Sequence, residues 1–312
     1  MRFFRNPDIK FMESRKVAFA ISGIVLFISL ISLILHGGPR FSVDFRGGTF
    51  IELRLEDKTV PSKLLNISIE DVRTVFAEFG LGDSEIKHYG SDQEIAVRVD
   101  VVENTDSLMI QINNGLSKKF PDYNVVERRK ETVGPKIGKE LVTKAVLSIL
   151  FAMLLILIYI MWRFEFRFGV GAVMALFHDI IITLGIFSIM SLEISIAIVA
   201  ALLTIIGYSL NDTIVVYDRI RENFKTFRRQ GLQYATIINN SINETLSRTI
   251  VTSGTTLIVV VVLYFFGGEV IKDFAFALIC GVIIGTYSSI FVASPILVEW
   301  EMRSAAKSRI TK

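Results

Sequence analysis

The chain has 312 residues, of which 51% are hydrophobic, and its mean hydropathy is +0.51. Runs of about 20 apolar residues recur along it, which excludes an ordinary soluble domain. The net charge is only +3, and the single cysteine, Cys280, excludes a disulfide framework. The composition therefore predicts an integral membrane protein.

Six segments are long and apolar enough to cross a membrane as helices. In chain order they are 17–35, 141–161, 168–190, 194–217, 250–266 and 274–298. The first is predicted to be an uncleaved anchor, because its apolar run is longer than that of a signal peptide. The sequence "HGGP" that follows it also lacks a cleavage pattern of small residues.

The distribution of lysine and arginine predicts the orientation of these spans. Basic residues precede the first span, lie between the second and third and between the fourth and fifth spans, and follow the sixth. The short loops on the opposite side contain only Lys272. Because cytoplasmic loops carry the excess of basic residues, residues 1–16 and 299–312 are predicted to be cytoplasmic. Residues 37–138 are then extracytoplasmic.

The extracytoplasmic segment alternates between strand and helix patterns. Period-two runs predict strands and helical spacing predicts helices, the first of which begins at the N-cap Ser68. The predicted elements are strand 49–55, helix 68–79, strands 85–89 and 94–99, helix 105–120 and strand 123–133. This order is that of a ferredoxin-like fold, which hosts many functions. No metal-binding or catalytic pattern occurs here, and His88 is interpreted as a surface histidine.

Polar residues inside the fourth and fifth spans are the candidate functional residues. An ionised group in hydrocarbon is costly, so an acid there needs a partner, water or a function. Helical spacing places Thr204, Tyr208 and Asn211 on the face that carries Asp212, and Thr252 on the face that carries Arg248. Asp212 and Arg248 are predicted to form a proton relay. A fixed ion pair that holds two helices together is the alternative.

Two further features of the spans receive predictions. Asp179, in "LFHDIIITLG", is a secondary intramembrane candidate, for which a helix-packing role competes equally with a role in proton transfer. Its only visible polar neighbour on the same helix face is Thr183. The small residues Gly281, Gly285 and Ser289 predict close helix packing against a partner protein.

Five ordered motifs together give a resemblance that covers almost the whole chain. They are "FSVDFRGGTFIELRL", "VGPKIGKEL", "LFHDIIITLGIFSI", "GYSLNDTIVVYDRIREN" and "INETLSRTIVTSGTTL". In this order they resemble the SecF family, the smaller membrane subunit of the bacterial SecDF accessory translocase. One departure lies in the first motif, where Phe41, Ser42, Val43 and Arg46 replace residues that are usually smaller.

The resemblance implies both an architecture and an activity. SecF belongs to the resistance-nodulation-division superfamily, so the chain is expected to be an α-helical polytopic membrane protein with six transmembrane helices, half of a twelve-helix bundle. Helix 1 would be 17–35 and helices 2–6 would occupy 141–298, with one α+β ferredoxin-like extracytoplasmic domain between helices 1 and 2. The bacterial cytoplasmic (inner) membrane is the expected location.

The expected partners are a SecD-like subunit, the SecYEG channel, the translocating unfolded preprotein and the lipid bilayer, with no nucleic acid. The expected activity is proton-motive-force-driven preprotein export, with protons as the coupling ion and no other cofactor, no metal and no enzymatic catalysis. The family's proton-transport residues are the acid of its "ND" motif and the arginine of its "SRT" motif. Here these are Asp212 and Arg248.

Two other functions compete with this one. A half-subunit of an exporter of small molecules or lipids from the same superfamily would use similar intramembrane acids. Such exporters usually have much larger outer domains, which hold the substrate pocket. A translocon assembly scaffold without transport activity would make the intramembrane acids dispensable.

Overall fold

The computed structural model describes residues 7–60, 66–100, 105–227 and 232–310. In chain order the elements are α1 (Arg15–Leu35), α2 (Val43–Arg46), β1 (Gly48–Asp57), α3 (Ile69–Glu78), β2 (Glu85–Tyr89), β3 (Ser91–Val99), α4 (Thr105–Lys119), β4 (Tyr123–Val133), α5 (Pro135–Arg163), α6 (Phe166–Ile189), α7 (Ile196–Phe227), α8 (Tyr234–Phe266), α9 (Glu269–Ser288) and α10 (Ser294–Ile310). The chain divides into a helical unit, Met1–Arg40 with Val146–Lys312, and a sheet unit, Phe41–Ala145.

Six helices of the described chain are long and apolar enough to cross a membrane, as predicted. They are α1, α5, α6, α7, α8 and the continuous helix Glu269–Arg303, in which a π-helical turn, Ser289–Ala293, joins α9 to α10. The fourth and fifth helices extend beyond the predicted spans, since α7 continues to Phe227 and α8 begins at Tyr234. Asn223 of α7 joins these polar extensions by hydrogen bonds to Ser241 and Glu244.

The helices α6, α7 and α9 form the centre of the helical unit, whereas α5 and α8 expose most of their apolar surface. Small residues bring α7 and α9 close together. A Cβ atom at Gly285 would lie 2.9 Å from the Cβ of Ser209, and one at Gly281 would overlap the side chain of Ile205. Ser289 is also fully buried within the chain. The close helix packing predicted for Gly281 and Gly285 is therefore confirmed, but the helix that they contact is α7 of the same chain and not a partner protein.

The segment before α1 is held against the start of α8 by two asparagine side chains. Asn243 accepts a hydrogen bond from the backbone N–H of Ile9 at 2.9 Å and donates to its carbonyl at 2.8 Å. Asn239 accepts from the backbone N–H of Met12 at 3.2 Å. The backbone groups of this extended segment are thereby satisfied without a regular helix or sheet.

The sheet unit contains a four-stranded antiparallel sheet with strand order β2-β3-β1-β4. The alternate residues Ile51, Leu53 and Leu55 of β1 are fully buried, and they pack with apolar residues of α3 and α4. Both helices therefore cover the same face of the sheet. The element order matches the prediction, Ser68 accepts a hydrogen bond from the N–H of Asp71 as the predicted N-cap, and His88 is exposed as predicted.

The opposite face of the sheet carries a buried acid, Glu52, on the central strand β1. Its side chain is opposite Arg129 of β4, and the residue is only 8% exposed. Burial raises the pKa of Glu52 above its ordinary value, and the nearby charge of Glu94 raises it further. A raised carboxyl pKa contributes stability below the pKa of the unfolded chain, and this contribution is lost as the pH rises through the folded-state pKa.

Glu52→Gln is therefore expected to stabilise β1 at pH 7–8 and to give no stabilisation near pH 4. Hydrogen exchange of the β1 amides in the full chain, compared with wild type at each pH, measures the effect. Glu56→Gln is the matched control, because Glu56 lies on the same strand but is more exposed and pairs with Arg54 at 3.4 Å. Equal protection in wild type and Glu52→Gln at neutral pH would contradict the prediction.

Candidate functional site in the helical unit

Asp212 lies on the inner side of α7, and only 2% of its surface is exposed. Its Oδ2 atom accepts a hydrogen bond from Ser253 Oγ of α8 at 2.8 Å. Thr286 Oγ1 of α9 lies 3.5 Å from the same oxygen and shares its single hydrogen between Asp212 and the carbonyl oxygen of Val282 at 2.7 Å. A buried carboxylate is tolerated where hydrogen-bond donors replace water. Asp212 thus connects three helices through its two hydroxyl partners.

Arg248 is an exposed residue of α8, and it lies close enough to Asp212 to interact with it electrostatically. Among the described residues, no hydrogen bond or ion pair within 4 Å joins the two side chains. Arg248 instead lines a cavity of about 800 Å³ that also contacts Val215, one turn beyond Asp212 on α7. The fixed ion pair of the alternative interpretation is not formed in this arrangement.

The cavity is polar. Its α7 side includes Asp218, Arg219 and Glu222, its α8 side includes Glu244, and Pro7 and Asp8 of the N-terminal segment complete the lining. A cavity of this size with several polar groups can hold water. It lies at the end of the helical unit that is predicted to be cytoplasmic. Water in it would reach Arg248 and come within one helical turn of Asp212.

The other residues of the predicted polar faces do not bind Asp212. Thr204 and Asn211 are exposed, and the hydroxyl of Thr204 donates to the carbonyl of Ala200 in its own helix. Thr252 donates in the same way to the carbonyl of Arg248 at 2.9 Å. The hydroxyl of Tyr208 is buried, and no residue in the described part of the chain gives it a hydrogen bond.

Sequence reasoning missed both hydroxyl partners of Asp212. Ser253 directly follows Thr252, but it lies on a different face of the helix from Arg248. The pattern of polar residues on the Arg248 face therefore did not include it. Thr286 lies in the sixth span, where no acidic residue drew attention to it. The sequence feature that could have revealed Thr286 is the run "TYSS" at 286–289, a cluster of polar residues in an apolar helix.

Asp179 forms a second buried carboxylate site. It has no exposed surface, and its Oδ1 atom lies 2.9 Å from Nδ1 of His178. Its Oδ2 atom accepts hydrogen bonds from Ser209 Oγ at 2.6 Å and from Ser288 Oγ at 2.8 Å. The hydroxyl of the predicted neighbour Thr183 donates only to the backbone carbonyl of Asp179. The decisive partners again come from other helices.

Within the described residues, no group of three or more histidine, cysteine, aspartate or glutamate side chains could hold a metal ion. Cys280 is buried and forms no disulfide.

Comparison with known proteins identifies the family. Residues 113–303 match the family model described as "Protein export membrane protein SecD/SecF, C-terminal". The "Protein translocase subunit SecF" of Desulfurispirillum indicum is 49% identical over 97% of this chain and 94% of its own length. The chain belongs to the SecF family. The SecF subunit of Rhodothermus marinus is 43% identical, and the alignment covers 99% of both chains.

Solved SecDF structures share the fold. The crystal structure of SecDF from Thermus thermophilus, described as a translocon-associated membrane protein, is 38% identical with a TM-score of 0.83 and covers 95% of this chain. SecDF in a super-membrane-facing form gives 37% identity, a TM-score of 0.71 and 99% coverage. This chain spans only 39% and 41% of those SecDF chains. The SecF family match and the six apolar helices make it a multi-pass membrane protein.

Proposed function

We propose that this chain is an accessory subunit of the Sec protein translocase, and that with a SecD-like partner it uses the proton motive force to promote preprotein export. The observation that carries the proton-driven part is the burial of Asp212 between hydroxyl donors of two neighbouring helices, within electrostatic range of Arg248 and one turn from a polar cavity. The SecF family match supports the role in export.

The hydroxyl partners make the site responsive to a proton. An ionised Asp212 accepts hydrogen bonds from Ser253 and Thr286, but a protonated carboxyl group can itself donate to a hydroxyl oxygen. Proton binding therefore changes the hydrogen bonds that join α7 to α8 and α9. Arg248 favours the ionised form, and the adjoining cavity offers a route for the proton. These properties are those required of a relay residue.

Exposed polar residues at membrane depth support the SecD-like partner. Asn211 of α7 and Arg248 of α8 are exposed in the isolated chain. Polar groups inside a membrane almost always face protein or water, because lipid cannot satisfy them. We infer that a second helical unit covers this flank. SecYEG, the unfolded preprotein and the surrounding lipid are the further proposed partners.

The proposed topology follows the distribution of basic residues, in the bacterial inner membrane. Residues 1–16 and 299–312 are cytoplasmic, 17–35 and 141–298 contain the transmembrane helices of one half of a superfamily bundle, and 37–138 form the extracytoplasmic domain. The strand order β2-β3-β1-β4, with two helices on one face, supports a ferredoxin-like fold for that domain.

Cysteine labelling tests this topology. In a Cys280→Ala background, a membrane-impermeant thiol reagent is expected to modify His88→Cys in intact spheroplasts. Lys225→Cys is expected to react only after permeabilisation. Both parent residues are exposed, so a lack of reaction reports on the side of the membrane and not on burial. The reverse labelling pattern would overturn the topology and, with it, the assignment of the cytoplasmic cavity.

Affinity purification of the tagged chain from native membranes tests the partner assignment. A SecD-like subunit is expected to co-purify in a fixed ratio, and the chain produced without it is expected to accumulate to a lower level because the polar flank stays uncovered. Proteins of the SecYEG channel are expected in the same preparation under mild detergent. A lone chain that is stable and fully active in export would contradict the proposal.

A further inference from the structure

We propose that His178 and Asp179 form a second proton-holding pair, coupled to Asp212 through the hydroxyl donors of α7 and α9. This inference rests on the proposed function, because the coupling concerns the protonation of Asp212. The pair lies wholly inside the helical unit, where Asp179 has no exposed surface and His178 is 4% exposed.

The composition of the site makes one proton exchangeable. Asp179 receives donors from Ser209 and Ser288 at Oδ2, and Nδ1–H of His178 donates to Oδ1. In this arrangement Nε2 of His178 carries a free lone pair, and this atom is buried without a hydrogen-bond partner in the described chain. A proton bound at Nε2 gives an imidazolium next to the carboxylate, so the pair is neutral. Its loss leaves a net negative charge that is fully buried.

A buried net charge is expensive unless it is paired, and a proton at Nε2 would leave the pair without a net charge. The titratable side chain that contacts the pair is Tyr287 of α9, whose ring stacks on His178 with centroids 6.2 Å apart. Among the described residues of α1 and of the π-helical turn, which also pack on α6, no titratable group forms a hydrogen bond or ion pair with it.

The two acids share the same two helices. On α7, Ser209 binds Asp179 and lies three residues, less than one helical turn, before Asp212. On α9, Thr286 binds Asp212 and Ser288 binds Asp179, only two residues apart. The π-helical turn starts at the next residue, and such turns are frequent at functional sites. A change at either acid thus acts on the same short segment of α9.

Two acids whose hydrogen-bond donors lie on the same short segments of α7 and α9 are expected to influence each other. Like charges disfavour each other, so simultaneous ionisation of Asp212 and deprotonation of the His178–Asp179 pair is disfavoured. Proton arrival at Asp212 removes one of the two negative charges and makes proton release from the pair easier. The pair could thereby bind a proton, or transfer one, while Asp212 changes between its protonated and ionised forms.

Infrared difference spectroscopy over a pH range tests the pair in the full chain co-purified with its SecD-like partner. Buried carboxyl groups give a separate C=O band when protonated, and their imidazole neighbours give their own bands. A pH-dependent change that disappears in Asp179→Asn and in His178→Gln, but survives in Asp212→Asn, is expected. Its midpoint is expected to move by about one pH unit, tenfold in proton affinity, when Asp212 is neutralised.

Ser288→Ala and Ser289→Ala provide the matched comparison. Both serines are fully buried neighbours, but Ser288 donates to Asp179 whereas Ser289 donates to the backbone carbonyl of Thr286. Ser288→Ala is expected to extend the protonated state of the pair to higher pH, because a donor to the charged carboxylate is lost. Ser289→Ala is expected to leave the profile unchanged.

The possible failures are distinguishable. If Asp212 titrates and export depends on it, but no pH-dependent change maps to His178 or Asp179, the second pair is overturned and the proposed function stands. A change at the pair that does not respond to Asp212→Asn overturns the coupling. Normal proton-dependent export in Asp212→Asn overturns the proposed function, whatever the spectrum of the pair.

Discussion

Asp212→Asn is expected to leave the amount of assembled protein unchanged and to remove preprotein export driven by the proton motive force. Asparagine has nearly the same volume as aspartate, and its carbonyl oxygen can accept the hydrogen bonds from Ser253 and Thr286. The contacts between α7, α8 and α9 are therefore retained. What the amide cannot do is bind and release a proton as the site is exposed to each side of the membrane.

The measurement is preprotein export into inverted membrane vesicles, with and without a protonophore, normalised to the amount of assembled complex. The protonophore-sensitive part is expected to fall at least about tenfold in Asp212→Asn, equivalent to about 1.4 kcal/mol or more of lost coupling. Thr256→Val is the control, because the hydroxyl of Thr256 donates to the carbonyl of Thr252 in its own helix. Normal export per complex in Asp212→Asn would make the carboxylate structural and contradict the relay.

Arg248→Met is expected to cause the same loss of proton-driven export, because it removes the cation of the site and not the acid. Arg248 is the cation whose charge acts on Asp212, and a proton relay would need this charge as well as the acid. A helix-holding ion pair predicts a different result, because breaking a buried pair costs about 3–5 kcal/mol and would appear first as lost protein. Arg248 is exposed in the chain, so its replacement leaves no cavity in the core.

The sequence was sufficient for most of the elements because each of these depends on a local pattern, whereas the four-residue helix α2 was not predicted. Apolar runs identified the six helices, and the period-two alternation of Ile51, Leu53 and Leu55 identified the central strand of the sheet. Hydropathy could not give the ends of α7 and α8. It reports where the apolar residues stop, whereas these helices continue as polar extensions held by contacts such as that of Asn223 with Ser241.

The sequence predicted which residues of α7 lie near Asp212 but not which residues of other helices contact it. Helical periodicity tells which residues of one helix share a face, so it placed Asp212 among Thr204, Tyr208 and Asn211. It cannot tell which neighbouring helix meets that residue, and Asp212 points to Ser253 and Thr286 at the inner edge of the face. Serine and threonine are also common in membrane helices, where most of their hydroxyls bind the backbone of their own helix.

Asp179 shows the same limit more strongly. Its own helix offers one polar neighbour on the same face, so the sequence favours a helix-packing role at least as much as a role in proton transfer. The structure adds hydroxyls from α7 and α9 and the adjacent imidazole of His178. These contacts depend on the close approach of α7 and α9, which Gly281 and Gly285 permit. The spacing of Gly281 and Gly285 predicts close helix packing, but the helix that packs against them is α7 of the same chain.

Gly285→Leu is expected to disrupt both acid sites by separating α7 from α9. A Cβ atom at Gly285 would lie 2.9 Å from Cβ of Ser209 and 3.3 Å from its Cα atom, so the obstacle includes backbone that cannot rotate away. Overpacking of a well-packed core costs about 1–3 kcal/mol, and a leucine side chain at a helix crossing belongs at the upper end. Ser209, displaced in this way, would also lose its hydrogen bond to Asp179.

The equilibrium ratio of folded to unfolded chain, measured by denaturant unfolding of the extracted protein, is expected to fall about tenfold or more in Gly285→Leu. Gly254→Leu is the matched control, since Gly254 lies inside α8 and a Cβ atom there meets nothing within 4 Å. Its ratio of folded to unfolded chain is expected to equal that of wild type. This outcome separates the two kinds of residue at the site. Gly285→Leu lowers the stability of the folded chain, whereas Asp212→Asn leaves the stability unchanged and removes proton-driven export. A wild-type ratio in Gly285→Leu would mean that α7 and α9 are not held at the close distance on which both carboxylate sites depend.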